Sequence, residues 1–203
     1  MSNSQDGGNS GREKERHGFL MLESKRLVLR DHRDSDLSTH HALLSDSAAM
    51  YYLPDIKTSS LAASEANLAF SMREIGQDMR AHVFLRMEDK STGCHIGEIG
   101  YTASAFTPLG KLVDLGYFTY PRFWNQGYAS EAVQALMRFA FTQDSVFRVS
   151  AGCLKENLGS ERVMQKCGFI KEAEFRQFVW HDGKMKDRVV YRLLKDEYQA
   201  SMP

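Results

Sequence analysis

Three consecutive strand-like runs constrain the fold of this chain more than any other feature of its sequence. They are AHVFLRME, HIGEIGYTAS and KLVDLGYFTYP, and they lie between residues 81 and 121. Glycine-containing turns separate them, with STG after the first run and PLG after the second. Short turns of this kind connect neighbouring antiparallel strands, so the three runs predict an antiparallel meander.

Further elements are predicted before the meander. LESKRLVLR, over residues 22–30, alternates apolar and charged residues at its end and predicts one strand. Asp34, Ser35 and Asp36 can cap a helix that carries three leucines. A second helical segment runs from about residue 60 to residue 76.

Two helices and three strands are predicted after the meander. Apolar residues recur on one helical face between Ala129 and Phe141. VFRVSAGCL predicts a strand, and GSERVMQKCGF predicts a short helix that ends at Gly168. Two final strands meet at HDGK, where Asp-Gly is a hairpin signal. The order of elements predicts an α/β fold (mixed α+β), with helices packed on the faces of a mixed sheet.

Length, charge and cysteine content indicate the class of protein. Its 203 residues suit a single domain, predicted over residues 19–203, whereas residues 1–18 are rich in Ser, Asn, Gly and charge and predict a disordered tail. The 26 basic and 26 acidic residues balance, so we expect neither nucleic acid nor an anionic membrane as partner. Three cysteines without C-x-x-C spacing, no apolar run of membrane length and no signal peptide predict a cytoplasmic protein.

One glycine lies where a strand should turn into a helix. In WNQGYASEA, Gly127 precedes a predicted helix whose first backbone N–H groups have no helical partner and form its positive dipole end. A residue without Cβ lets an anion approach the backbone, and Ala129 and Ser130 are small. The stretch predicts either an anion site or a plain turn. The P-loop and dinucleotide-binding patterns are both missing from the sequence.

Several segments together resemble one family. LESKRLVLR, IGEIGY, DLGYFTYPRFWNQGYASEA, KENLGSERVMQKCGF and DGKMKDRVVYRLLKDEY follow one another in the order typical of the GCN5-related N-acetyltransferase (GNAT) superfamily. They look most like its branch that acetylates the N-termini of ribosomal proteins. The resemblance covers about residues 21–198. It implies a central, mostly antiparallel sheet with helices on both faces.

The resemblance also implies a binding site for acetyl-CoA as co-substrate, with no metal. The family motif has two small residues that Gly127 and Ala129 match, although Trp124 stands where Arg or Gln is usual. Backbone N–H groups of the glycine turn would hold the pyrophosphate: Gln126, Gly127, Tyr128, Ala129 and Ser130. The preceding strand would pair with the pantetheine arm through Leu115, Tyr117, Phe118 and Thr119. Asn157 matches an asparagine near the reactive end, whereas its position alone predicts a helix N-cap.

Acetyl transfer to an amine needs a neutral amine, a polarised thioester carbonyl and a protonated leaving group. Asp114 and Glu98 are the candidate bases on the meander strands. Asp114 resembles the catalytic carboxylate of the family, and the apolar flanks of Glu98 would raise its pKa if the residue is buried. Each could equally be a structural charge, or water could carry the proton.

The candidate acid is Ser160. Many relatives use a tyrosine in the last helix, but Met164 occupies that place here. In the ribosomal-protein branch a serine three residues after the asparagine is thought to serve, and Ser160 matches it. Without the resemblance, Ser160 is an ordinary hydroxyl in a first helical turn, and its weakly acidic proton would need help.

Other conspicuous side chains predict structural roles. The pairs His40-His41 and Cys94-His95 have no sequence partner at metal-binding spacing, so ligation is not expected. Three arginines are expected to pair with acids on neighbouring strands rather than to bind substrate: Arg26, Arg30 and Arg188.

The predicted function is acetyl-CoA-dependent acetylation of a protein N-terminal α-amine. One alternative is the same chemistry on a small amine, such as a polyamine, an amino acid or an amine antibiotic. A second is a non-catalytic sensor that binds acyl-CoA. Tyr51, Tyr52 and the hairpin over residues 180–184 are expected to distinguish the acceptors, since an acidic cleft would suit a polyamine and an open slot a peptide. The chain could act as a monomer or a homodimer.

Overall fold

The computed structural model describes residues 18–200. The predicted tail over residues 1–18 therefore lies outside the described residues except for Gly18. Within the described range the chain forms one eight-stranded sheet with five α-helices. No helix in residues 18–200 has the length and apolar character needed to cross a membrane.

The sheet is mixed and mostly antiparallel, as predicted. Its strands are β1 (Met21–Glu23), β2 (Leu27–Asp31), β3 (His82–Asp89), β4 (His95–Thr107), β5 (Gly110–Thr119), β6 (Val146–Leu154), β7 (Ile170–His181) and β8 (Lys184–Leu194). Their order across the sheet is β1-β2-β3-β4-β5-β6-β8-β7. Only β5 and β6 of the described strands pair in parallel. The predicted meander is confirmed as β3, β4 and β5.

The helices follow the predicted order, with one addition. They are α1 (Leu37–Leu44), α2 (Leu61–Met72), α3 (Tyr128–Thr142), α4 (Leu158–Lys166) and α5 (Lys195–Ala200). The sequence analysis did not predict α5, which directly follows β8. Short 3-10 turns over Asp34–Asp36 and Pro121–Phe123 precede α1 and α3.

The prediction of one strand over residues 22–30 is wrong. The segment forms β1 and β2, which pair antiparallel with each other. A tight turn separates them, in which Ser24 N–H donates to Leu27 C=O at 2.9 Å and Leu27 N–H donates to Ser24 Oγ at 3.1 Å. A side chain can close such a turn without glycine or proline, so the usual turn signal is missing.

The cap predicted for α1 also differs. Asp36 makes no side-chain cap for this helix and instead accepts from both Nη atoms of Arg30 at 2.8 Å. Asp36 Oδ2 also accepts from Arg33 N–H at 2.8 Å, so the guanidinium and this backbone N–H hold the carboxylate away from the first N–H groups of α1. Ser60 does cap α2, accepting from Ala63 N–H at 3.2 Å.

Helices cover both faces of the sheet, as expected. Leu27, Leu85, Val113 and Leu115 form the larger core with Leu136 of α3. On the opposite face, a smaller cluster joins residues in and after α1 to the end of the β5 segment: Leu43, Leu44, Met50, Phe118 and Tyr120. Because successive residues of a strand point to opposite faces, odd-numbered residues of β5 face α3 and even-numbered residues face α1.

Candidate active site

A cleft opens in the sheet where β5 and β6 separate. The two strands pair from Lys111 and Val146 as far as Asp114 and Ser150. Beyond this point β5 stays paired only with β4, through residues 115–119, and β6 stays paired only with β8. The facing edges of β5 and β6 therefore leave backbone N–H and C=O groups available to an extended ligand.

The glycine turn lies just beyond β5, at the start of α3. Gly127 is the N-cap of α3 and has φ +80°, a left-handed conformation that favours glycine. The adjacent Asn125 also has positive φ, at 57°. The first N–H groups of α3 follow directly, so the positive end of the helix dipole lies at this turn.

Two cations flank the turn, and the sequence analysis assigned neither of them to it. A Cβ placed on Gly127 would lie 3.6 Å from Arg26 Nη2 and 4.0 Å from Lys166 Nζ. Arg26 comes from the turn between β1 and β2, and Lys166 ends α4. This combination of unpaired N–H groups, a missing Cβ and two cations fits a pyrophosphate.

Arg26 is held in place from α3. Its Nε donates to Glu131 Oε2 at 2.7 Å, and its guanidinium lies 4.1 Å from the centroid of the Tyr128 ring. Nη1 donates to the Gln126 carbonyl at 3.1 Å. The expectation that Arg26 pairs with an acid is confirmed, but the acid belongs to a helix rather than a strand.

A second group of polar side chains lies at the start of α4. Asn157 Oδ1 accepts from Ser160 N–H at 3.1 Å, which confirms the N-cap role expected from position alone. Ser160 Oγ lies 3.0 Å from the hydroxyl of Tyr117 on β5. Burial raises the pKa of Tyr117 even though its hydrogen bond with Ser160 opposes the shift, so the phenol keeps its proton at neutral pH.

Asp114 and Tyr117 point to opposite faces of β5. Asp114 is exposed and is the last residue of β5 that pairs with β6. Among the described residues its carboxylate has no ion pair or hydrogen bond that holds it in place. The carboxylate thus lies on the α1 face at the start of the cleft, whereas the Tyr117 and Ser160 hydroxyls lie on the α3 face.

Glu98 lies elsewhere and is buried beneath α1. It pairs with Phe118 whereas Asp114 pairs with Thr102, so the backbone positions of the two residues are four residues apart in register, about 13 Å along the strands. Burial opposes ionisation of Glu98, but the adjacent His32 and His40 outweigh it and lower the pKa. The expectation of a raised pKa is wrong because apolar sequence neighbours do not determine which side chains pack around the carboxylate.

The two segments that were predicted to distinguish between acceptors contact each other. His181 Nε2 lies 2.6 Å from the Tyr51 carbonyl oxygen, and the Tyr51 hydroxyl donates to Asp182 Oδ2 at 3.1 Å. Tyr52 stacks on His181. The turn at Asp182 and Gly183 has positive φ at both residues, which confirms the predicted Asp-Gly hairpin. We call this contact of residues 51–52 with residues 181–182 the hairpin junction.

The other two arginines that were expected to pair with acids, Arg30 and Arg188, have different outcomes. Arg30 is confirmed as structural, since it pairs with Asp36 and Glu88. Arg188 has no acidic partner among residues 18–200, and its guanidinium lies 2.8 Å from where a Cβ on Gly152 would be. His40 is buried, as expected for a core residue, and it lies beside His32 and Glu98.

Comparison with known proteins identifies the family. The sequence profile described as "Acetyltransferase (GNAT) domain" matches residues 26–170. This chain therefore belongs to the GNAT acetyltransferase family. The uncharacterized N-acetyltransferase YnaD of Bacillus subtilis is 30% identical over 181 residues, which are 88% of this chain and 99% of the relative. The protein is accordingly an acetyltransferase.

Solved structures of similar fold include enzymes with different acceptors. Ribosomal-protein-S5-alanine acetyltransferase from Vibrio fischeri has a TM-score of 0.76 at 18% identity, covering 88% of this chain and 98% of that chain. Spermidine N-acetyltransferase from Vibrio cholerae, solved in complex with CoA and spermine, has a TM-score of 0.73 at 18% identity, covering 86% and 98%. At these identities the likeness concerns the fold alone.

Proposed function

We propose that this enzyme transfers the acetyl group of acetyl-CoA to the N-terminal α-amine of a protein. The observation that carries the acetyl-CoA assignment is the cleft between β5 and β6, which leads to the glycine turn at Gly127. The open edge of residues 115–119 suits an extended pantetheine arm, and the N–H groups of residues 126–130 suit its pyrophosphate. Arg26 and Lys166 add positive charge beside the same turn.

Acetyl-CoA supplies the activated acetyl group, and we assign the proton transfers to side chains on the two faces of β5. Asp114, on the α1 face, accepts a proton from the attacking amine. As the C–N bond forms and the thioester C–S bond breaks, Ser160, on the α3 face, donates a proton to the departing thiolate. Ser160 regains a proton through the Tyr117 hydroxyl in contact with its Oγ, and Asp114 releases the amine proton to solvent. This arrangement separates base and acid on either side of the reacting carbonyl.

The charge at the hairpin junction favours a peptide acceptor over a polyamine. Glu156 forms an ion pair with Lys186, and Asp182 already accepts from Tyr51. A polycationic acceptor needs several unpaired carboxylates, and the ion pair with Lys186 removes Glu156 from those available. The same hairpin exposes large apolar side chains that could contact a peptide: Phe178, Trp180 and Met185.

The α-amine is also the easier nucleophile at neutral pH. An α-amino group has a pKa of about 8, whereas a lysine amine has a pKa of about 10.4. A larger fraction of the α-amine is therefore neutral, and a single carboxylate at Asp114 is sufficient to remove the remaining proton.

The test is a mass-spectrometric acetylation assay with one pool of acceptors. The pool contains peptides beginning with Ala, Ser or Met, each with one internal lysine, together with spermidine and free amino acids. We expect acetyl groups on peptide α-amines and little on the lysines. Asp114→Asn, compared with wild type, should lower the rate while thermal stabilisation by acetyl-CoA is retained.

Other outcomes would contradict the proposal in distinct ways. Faster acetylation of spermidine or an amino acid would assign the enzyme to a small amine. Thermal stabilisation by acetyl-CoA without any product from the pool would favour a non-catalytic acyl-CoA sensor.

A further inference from the structure

A compact group of potential metal ligands lies beneath α1 and includes a residue of β4, the strand that pairs with β5. His32 follows β2, His40 lies on α1 and Glu98 lies on β4. Each offers one ligand atom, and these three atoms lie within 4.8 Å of one another. All three residues are buried, and neither histidine side chain has any exposed surface.

His32 is the unusual member of this group. Both of its ring nitrogens are buried and have no hydrogen-bond partner among the described residues. Its Nε2 lies 3.9 Å from Glu98 Oε2, too far for a hydrogen bond. A buried polar group without a partner costs free energy, so His32 needs a partner that protein atoms do not supply.

One contact of His40 is the supporting hydrogen bond that a metal-ligating histidine commonly makes. His40 Nε2 lies 3.0 Å from Asn67 Oδ1, and because that oxygen can only accept, Nε2 carries the hydrogen. His40 Nδ1 donates to Glu98 Oε1 at 2.6 Å, so an ion that binds between them displaces this proton. A ligating histidine commonly donates its second N–H to a fixed acceptor in this way, which orients the ring.

The donor set selects the chemical class of ion. Two imidazoles and one carboxylate suit Zn²⁺ and the neighbouring divalent transition metals, whereas Mg²⁺ and Ca²⁺ prefer oxygen ligands alone. The negative charge of Glu98 offsets part of the charge of such an ion. The nearby positive charge of Arg30 would repel the ion, but Asp36 and Glu88 offset that charge.

We propose that His32, His40 and Glu98 bind one divalent transition-metal ion, with Zn²⁺ the best match to the donors. The ion would hold α1 and the segment after β2 to β4, with its fourth position filled by water or by the second oxygen of Glu98. It is not a centre for acetyl transfer, since Glu98 lies about 13 Å along the strands from Asp114. The proposal is independent of the acceptor assigned above.

The experiment uses tag-free full-length protein that has been stripped with a chelator. Titration with Co²⁺ should produce the visible d–d bands of a nitrogen- and oxygen-ligated ion, saturating at one ion per chain. Zn²⁺ should displace Co²⁺ and bleach these bands. Because an ion that binds only the folded chain stabilises it, Zn²⁺ should also raise the Tm.

His32→Phe is the decisive variant. It removes a ligand but keeps a planar ring, and it breaks no protein hydrogen bond because the His32 nitrogens have none. The variant should fold and should weaken Co²⁺ and Zn²⁺ binding by tenfold or more, with the Zn²⁺-dependent rise in Tm lost. His41→Gln is the matched control on the same helix, since His41 contacts Ser64 rather than the cluster, and it should bind Co²⁺ and Zn²⁺ as wild type does.

Two results would overturn the proposal. One is the lack of any Co²⁺ spectrum and any Zn²⁺ effect on the Tm of wild type. The other is equal binding by wild type and His32→Phe, which would place the ion elsewhere. Either result would leave the short contact between His40 and Glu98 as a buried hydrogen bond without a metal.

Discussion

Gly127 meets two requirements at a single position. Its φ of +80° favours glycine, and the missing Cβ leaves space between the α3 N-terminus and the cations of Arg26 and Lys166. A side chain there would strain the backbone and occupy the site proposed for the pyrophosphate. Two substitutions at Gly127 can separate the backbone strain from the loss of the proposed pyrophosphate site.

Gly127→Glu should weaken acetyl-CoA binding by roughly tenfold or more, a loss of at least 1.4 kcal/mol. The glutamate would put a negative charge at the proposed phosphate position. Gly127→Ala is the control, because it introduces the same backbone strain, about 1 kcal/mol, without the charge. Calorimetric titration of both variants would measure the difference. Equal affinity of Gly127→Glu and wild type would contradict the cofactor site.

The hydroxyls of Ser160 and Tyr117 should act together. If they form one path for the proton, Ser160→Ala and Tyr117→Phe should each lower kcat, by up to about 10²-fold, with little change in acetyl-CoA affinity. The double variant should then be little slower than the slower single variant, because both changes interrupt the same path. Steady-state kinetics of the four proteins would measure this. Additive losses would indicate separate roles, and unchanged kcat in Ser160→Ala would make that hydroxyl structural.

At the scale of elements, the turn between β1 and β2 depends on α3. Glu131 accepts from Arg26 N–H at 2.6 Å, from Arg26 Nε at 2.7 Å and from Ser24 Oγ at 2.8 Å. Burial opposes ionisation of this carboxylate, but these hydrogen bonds and the charge of Arg26 lower its pKa. One ionised side chain therefore fixes both the turn and the position of Arg26 beside Gly127.

Glu131→Gln should lower the free energy of unfolding by about 1–2 kcal/mol, since charge-assisted hydrogen bonds are replaced by neutral ones. For a chain of this size the expected fall in Tm is roughly 3–6 °C. Glu65→Gln is the control, because Glu65 is an exposed glutamate in the middle of α2. Thermal denaturation of both variants would measure the effect. A Tm equal to that of the control would mean that the turn is held by its own hydrogen bonds.

The elements differ in how far local sequence predicts them. The meander and the Asp182-Gly183 hairpin carry explicit turn residues, so both were predicted from short patterns. The break between β1 and β2 was missed because Ser24 closes the turn and Glu131 supports it from a distant helix. Before α1, Asp36 pairs with Arg30 rather than capping the helix. Because Arg30 lies on β2, the residues around α1 did not indicate this pairing.

At the scale of the whole molecule, ionised carboxylates connect helices to the sheet. Glu74, just after α2, accepts from Ala81 N–H at 2.6 Å and His82 N–H at 2.8 Å at the start of β3. Burial opposes ionisation, but the hydrogen bonds from His82 and Ala81 and the His82 charge lower the pKa of Glu74 to about 2. Its value in the unfolded chain is about 4.5.

This difference predicts an acid-sensitive fold. Because the pKa of Glu74 is lower in the folded state, its stabilisation is fully present above pH about 4.5 and is lost as the pH falls towards 2. The contribution is about 2–3 kcal/mol. Glu74→Gln should lower stability at pH 7 and flatten its decline between pH 4.5 and 2. Urea unfolding across this range would test it, with the exposed Asp78→Asn as control. Parallel pH profiles for Glu74→Gln and wild type would contradict the assignment.

Parts of the candidate site could be predicted from sequence and others could not. Gly127, Asn157 and Ser160 lie in contiguous motifs whose local geometry follows from a few neighbouring residues. Arg26 and Lys166 come from the β1–β2 turn and from α4, so no local pattern connects them to Gly127. The contact of Tyr117 with Ser160 likewise joins residues 43 positions apart.

The sequence by itself determined the meander, the final hairpin, the glycine turn and the order of the other elements except the β1–β2 break and α5, because each depends on periodicity or turn chemistry within a few residues. The tertiary structure decided where β5 and β6 separate, which face Asp114 occupies and which cations flank Gly127. It also brought His40 to Glu98 across 58 residues and Arg26 to Glu131 across 105. Such pairs form only when the packed sheet and helices bring distant segments together, so local patterns carry no signal for them.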